Sequence, residues 1–266
     1  MLILKKGSLG LRGESGPRSS MNNMSDAELA ALVALYNATG GATSWEFETE
    51  TNHTFDWLSQ APPCRWHKVI CDDDGHVVQL HFHFSYLVGT IPSQLGQLSF
   101  ATLLHFHNNK LSGTLATELG KLSPSLMSLD TADNRISGTI PSQLGRFSRL
   151  NSLPLSGNRY SGTIPSELGK LPRLVTLYLD DNLLSGTIPA ALGKLTSLET
   201  LNLIYNRLSG SIPSQLNRLN DTRLNVLPLC APPSHRSLPP RHVSPSQTTC
   251  EKRVESRSNG ARSEPT

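Results

Sequence analysis

Two histidine pairs carry the side chains with the widest chemical reach in this sequence. His81 and His83 stand two residues apart, as do His105 and His107. Alternate residues of a strand share a face, so each pair presents two imidazoles on one side. Imidazoles brought together in this way could hold Zn²⁺ or Cu²⁺. Because histidine titrates near neutral pH, they could equally form a pH-responsive surface. Four solvated surface histidines are the plainer alternative. Cys64 and Cys71 lie close to His67 and His76. A metal site and a disulfide both stay open there, although the spacing matches no standard zinc pattern. Enzyme signatures are absent: neither GxSxG nor HExxH occurs. The glycine-lysine segments ending at Lys121 and Lys170 lack the Ser or Thr that a phosphate loop places after its lysine. No catalytic role and no cofactor are expected.

The elements that position these residues come from a repeat. Ser-Gly-Thr tripeptides, usually followed by Ile-Pro, place glycines at 89, 113, 138, 162, 186 and 210, spacings of 24, 25, 24, 24 and 24. A fixed period in the twenties is the signature of a solenoid, in which each repeat buries its apolar face only by stacking on its neighbours. In Leu198–Pro213, the clearest copy, Leu201 and Leu203 point inward, so Thr200, Asn202 and Ile204 point to the opposite, concave face. Asn109, Asn134, Asn158, Asn182 and Asn206 form a column whose amides can satisfy backbone groups where the chain leaves the strand. The proline of each Ile-Pro fixes its own φ and extends the residue before it. That favours an extended or 3₁₀-like convex side over a long helix.

Aligning the copies turns the histidine pairs into a patch. One concave column reads His81, His105, Asp130, Pro154, Tyr178 and Asn202; the next reads His83, His107, Ala132, Ser156, Asp180 and Ile204. The four histidines then form a two-by-two array on adjacent strands, about 4.8 Å apart, with Asp130 beside His105. Asp133, Tyr178, Asp180, Asp181 and Tyr205 share this face, where tyrosine is a common anchor and charge steers partners. A protein or peptide, or alternatively a glycan, is the expected ligand. Two copies depart from the pattern and are expected to be weak points of the ladder: Thr131 replaces a leucine, and Pro154 falls in mid-strand.

Outside the repeats, residues 26–40 read as a helix, with Leu29, Leu32, Val33 and Tyr36 on one face and a Ser25/Glu28 capping box. Residues 1–24 and 226–266 read as a disordered leader and a disordered Pro/Ser/Arg-rich tail. Residues 1–25 carry four basic and one acidic side chain, and 230–266 six and three, so the stretch between them holds 14 basic against 17 acidic. The basic surplus is in the tails, which argues against nucleic-acid binding. No secretory signal precedes the cap and no stretch reaches membrane-helix length. Taken alone, this points to a soluble chain, with the cytoplasm as one location. Asn37, Asn52 and Asn220 open glycosylation sequons, usable only in a secreted chain.

The LxxLxLxxNxLSGxIP pattern of Leu198–Pro213 resembles the plant-type leucine-rich repeat of receptor-like kinase ectodomains and polygalacturonase-inhibitor-like proteins. The order of helix, Trp45, Trp57 and Cys64-x-Trp66-x-x-Val69-x-Cys71 resembles that family's N-terminal cap. The resemblance implies a right-handed α/β solenoid, with a cap at 25–76 and about six repeats at 77–225. It also implies a Cys64–Cys71 disulfide and an extracellular or cell-surface recognition role, either receptor-like or as a secreted enzyme inhibitor, in a monomer. The family places glycine where Lys68 stands, so a different local turn is expected there. Cys230 and Cys250 match no cap pattern well.

Overall fold

The computed structural model describes residues 24–41, 45, 57–59, 61–122, 124–219 and 223–225. The expected tail 226–266, Cys230, Cys250, Asn52 and Asn220 lie outside these residues. Met24, assigned by sequence to the leader, packs half-buried against the core.

The chain forms an α/β solenoid. After α1 (Asp26–Ala38) and β1 (Val69–Cys71), each repeat contributes a concave strand and then a strand on a second layer. These are β2 (Val77–His81) and β3 (Val88–Thr90), β4 (Leu103–His105) and β5 (Lys110–Ser112), β6 (Ser128–Asp130) and β7 (Ser137–Thr139). The series continues through β8 (Ser152–Pro154) and β9 (Arg159–Gly162), β10 (Thr176–Tyr178) and β11 (Leu183–Thr187), β12 (Thr200–Asn202) and β13 (Arg207–Ser209), ending in β14 (Arg223–Asn225). The concave sheet runs β1-β2-β4-β6-β8-β10-β12-β14, antiparallel only at β1-β2. Parallel register keeps equivalent residues side by side, as with Leu80↔Leu104 and Leu177↔Leu201.

The period of the sequence builds this geometry directly. The inward leucines at 80, 104, 129, 153, 177 and 201 are all buried, and each stacks on the same position of its neighbour. Each Ile-Pro or its equivalent leads into a 3₁₀ turn, such as Ser142–Arg146 or Ser166–Lys170, as the prolines suggested. A five-residue turn is narrow, so neighbouring turns come close. A Cβ built on Gly169 would lie 2.3 Å from the Ala191 carbonyl oxygen of the next turn. In the second layer, the Thr139 methyl packs on the Cα side of Gly162 (φ 75°), where a Cβ would approach it to 3.0 Å. The second layer divides into sheets β3-β5 and β7-β9-β11-β13. The break falls at the 25-residue copy, where Leu115-Ala116 replaces Ile-Pro and only an isolated bridge joins Thr114 to Ser137.

The asparagine column makes the expected bonds across repeats. Asn158 accepts from the Ile136 N–H (2.9 Å) and donates to the carbonyls of Thr131 (2.8 Å), Leu155 and Ser156. Asn134, Asn182 and Asn206 repeat this pattern. The first copy lacks the asparagine and carries Ser85 instead. There the Lys68 ammonium supplies donors, to the His83 carbonyl (3.1 Å) and to Ser85 Oγ (2.6 Å). Lys68 keeps the turn that a glycine would make, at φ 68°. The expectation of a different turn there is therefore corrected. Ordering by the β-ladder (its own carbonyl accepts from His81 N–H) and the reach of its side chain offset the steric cost.

Both irregular copies have a physical account. Thr131 is fully buried, and its hydroxyl meets the Tyr160 hydroxyl at 3.1 Å. Tyr160 occupies a position that leucine or isoleucine fills in other copies, so the smaller residue makes room for the larger one. Pro154 has no N–H to return to β6, and the β6–β8 register shortens to Ser128↔Ser152 alone.

The cap closes the first repeat with aromatic rings. Trp45, Trp57 and Trp66 are each buried, with centroid separations of 4.9 Å (Trp45–Trp57) and 4.8 Å (Trp57–Trp66). Trp45 reaches Phe82 at 5.1 Å, and Phe82 stacks on Phe106 at 5.9 Å. Cys64 and Cys71 are bonded to each other, with Cα atoms 5.5 Å apart. That pairing excludes the alternative metal site with His67 and His76. Among the described residues, no helix is long and apolar enough to cross a membrane.

Candidate recognition face

Strands β2, β4 and β6 bring the predicted patch together because their register places His81 beside His105 and His105 beside Asp130. The His81 and His105 ring centroids are 5.4 Å apart, and the His83 and His107 rings stack at 5.1 Å. Along each strand the pairs are 6.4 Å and 6.3 Å apart. Every imidazole is half-buried. Polar neighbours hold three of them: His81 Nε2 meets Gln79 Oε1 (2.7 Å), His105 Nε2 meets Ser128 Oγ (3.2 Å), and His107 Nδ1 approaches Asp130 Oδ2 to 3.0 Å. The last contact has ion-pair distance without hydrogen-bond alignment, and His83 Nδ1 is buried with no hydrogen-bond partner.

This arrangement favours neutral imidazoles at His81, His83 and His105. Burial pushes His81, His83 and His105 below the ordinary histidine value. The Lys68 charge adds to this at His81 and His83, while Asp130 opposes it at His83 and His105. Among the described residues, no three of His, Cys, Asp and Glu converge where they could hold an ion. The geometry gives no support to His81, His83, His105 and His107 as metal ligands. Flat strands a ladder spacing apart fan the rings side by side rather than aiming them at one point.

Further along the same face, Tyr178, Asp180 and Asn202 are half-buried and Asp133, Asp181 and Tyr205 are exposed. Asp180 is pushed above the usual carboxylate range, first by burial and then by the charges of Asp181 and Asp133. These three carboxylates make the centre of the face acidic. Two residues escaped the sequence reading. Phe84 is 62% exposed and lies 5.7 Å from the His107 ring; Tyr86 is 47% exposed, with the Lys110 ammonium 5.8 Å from its ring centroid. Their signal was present in the alternation His81-Phe82-His83-Phe84-Ser85-Tyr86, but Phe84 and Tyr86 fall past the strand end, where alternation no longer tells in from out.

Asn37 is exposed on the last turn of α1, while Thr39 of the same sequon is buried. Its hydroxyl donates to the Leu35 carbonyl (2.7 Å) and accepts from Trp45 Nε1 (3.0 Å).

The leucine-rich-repeat family matches residues 124–184 and 197–219. A search of curated proteins returns no match. Among solved structures, the PEPR1–AtPEP1 complex superposes with a TM-score of 0.67 at 29% identity, over 76% of this chain and 28% of that one. The Arabidopsis receptor kinase HAESA ectodomain, in complex with an N-terminally extended IDA peptide hormone, gives 0.63 at 34% identity, over 77% and 33%. A plant ice-binding protein gives 0.64 at 28% identity, over 76% and 66%. The chain thus spans about a third of the length of the first two of these structures.

Proposed function

The chain is a plant-type leucine-rich-repeat protein, and from that premise we propose that it is a non-catalytic recognition module that binds an extended peptide along its concave face. The observation that carries this reading is a contrast between columns. Inward positions repeat leucine from copy to copy, whereas the concave column runs His81, His105, Asp130, Pro154, Tyr178, Asn202. Stacking alone asks nothing of these outward residues, and their mixture of aromatic, acidic and imidazole groups suits a specific partner. The HAESA ectodomain in complex with its peptide hormone supports the same class of ligand. A receptor-like role at the cell surface follows from this reading, with the cap disulfide kept in an oxidising compartment.

The test is a panning experiment. The full chain is panned against a phage-displayed library of random twelve-residue peptides. Enriched peptides are then measured against Tyr178→Glu and Asp180→Lys on the concave face and Lys194→Glu on the convex side. At least a tenfold loss with the first two and none with the third is expected. Binders that respond only to Lys194→Glu would overturn the reading.

A further inference from the structure

The residue just before each ladder position occupied by asparagine adopts the left-handed conformation in every copy. Phe84, Asn108, Asp133, Gly157, Asp181 and Tyr205 have φ of 47°, 56°, 52°, 62°, 51° and 53°. The ladder imposes this. The Phe84 N–H donates to the His107 carbonyl (3.2 Å), Asn108 to Ala132 (3.0 Å), Asp133 to Ser156 (2.9 Å), Gly157 to Asp180 (3.1 Å) and Asp181 to Ile204 (3.1 Å). Glycine, asparagine and aspartate tolerate such a backbone; bulky residues resist it. The four interior copies obey that rule and the two end copies break it, each with an aromatic residue. Phe84 and Tyr205 are also the most exposed large apolar side chains of the described residues, at 62% and 66%. Neither backbone preference nor burial accounts for them. Strain retained at an exposed aromatic points to use rather than packing.

Their placement defines what they would grip. Phe84 stands at the histidine end of the face, its ring 6.2 Å from that of His83. Tyr205 occupies the same position five copies later. At about 4.8 Å per strand the two are about 24 Å apart, the span of roughly seven residues of extended chain at about 3.3 Å each. Between them lie the carboxylates of Asp133, Asp180 and Asp181. We propose that Phe84 and Tyr205 bracket the ligand site, seating one apolar side chain at each end of an extended peptide about seven residues long. A basic residue between those ends faces the carboxylates. This inference rests on the reading of the concave face as a peptide site.

The enriched twelve-residue peptides from the panning serve as the probe. They are expected to carry apolar residues six to eight positions apart with Lys or Arg between. Phe84→Asn and Tyr205→Asn are each expected to weaken binding at least tenfold. Because asparagine suits the left-handed backbone, the melting temperature should hold or rise in both variants, which a merely structural role would not give. Peptides that need Tyr178 and Asp180 but bind the Phe84→Asn/Tyr205→Asn double variant within twofold of the parent would overturn the bracketing and leave the concave reading standing. Peptides indifferent to all four residues would overturn both.

Discussion

Burial and neighbouring positive charge disfavour the proton of three imidazoles of the patch, His81, His83 and His105. His83 faces Lys68, His81 and His107, with Asp130 alone opposing; His105 faces three imidazoles and Asp130, with Ser128 Oγ at its Nε2. A histidine whose folded value lies below its unfolded one contributes stability that is complete above the unfolded value and is lost as pH falls through it. The unfolded value is about 6.5. Melting temperature should therefore be level above pH 7 and drop as pH falls below about 6.5, where the unfolded chain takes up protons that the folded rings resist. In His83→Gln/His105→Gln the drop over this window should shrink, as measured by scanning fluorimetry in steps of pH; an unchanged drop would assign it to other groups. The positions of these histidines were legible because His81 and His105 end strands β2 and β4, and the alternation and period carry two residues further, to His83 and His107. The metal chemistry was not, since types and spacing say that four rings are neighbours without saying where their nitrogens aim. Phe84 and Tyr205 lie three residues beyond the ends of β2 and β12, and their left-handed φ together with their exposure sets them apart from ordinary loop residues.

At the scale of elements, the join between helix α1 and the first repeat depends on a buried carboxylate. Glu28 is 1% exposed. Oε2 accepts from Ser25 N–H (3.1 Å) and Ser25 Oγ (2.9 Å) and contacts His76 Nδ1 (3.2 Å), while Oε1 accepts from Val77 N–H (3.0 Å). Burial alone would raise this carboxyl, but those bonds outweigh it and hold it below the usual value. Stability from such a group is present above its unfolded pKa, about 4.3, and is lost as pH falls through the lower folded value. Glu28→Gln places an amide N–H₂ where donors already point, so a loss of about 1–3 kcal/mol in urea unfolding at pH 7 is expected. Asn158→Ala should cost a similar amount, about 1–3 kcal/mol, by orphaning the Ile136 N–H and the Thr131 carbonyl. The Ser25–Glu28 box was legible from local spacing. The bonds to His76 and Val77 were not, because they cross almost fifty residues. The Thr131–Tyr160 match was hidden for the same reason: each residue looks like a fault until stacking places its hydroxyl against the other.

At the scale of the whole molecule, the solenoid is a one-dimensional stack, in which each copy contacts little beyond its neighbours. The period was readable because every copy must solve the same packing problem with the same leucines, asparagine and glycine. The aromatic cap was readable only as a resemblance, since its rings meet through tertiary contacts that no spacing encodes. Damage in such a stack should stay where it is made. The Cys64–Cys71 bond closes a short loop beneath the three tryptophans, and by loop entropy its removal costs about 2–3 kcal/mol. Reduction by dithiothreitol should therefore speed amide exchange in the cap and first copies, at Val69, Phe82 and Phe106. Exchange at Leu155 and Leu179, several copies away, should stay near its oxidised rate, as read by hydrogen exchange at single-residue resolution. A uniform increase along the chain would mean that the stack melts as one unit and that the cap disulfide governs the entire recognition face. A graded response would mean that reduction loosens the Phe84 end and leaves the Tyr205 end in place, so that a peptide spanning both would lose one anchor and keep the other.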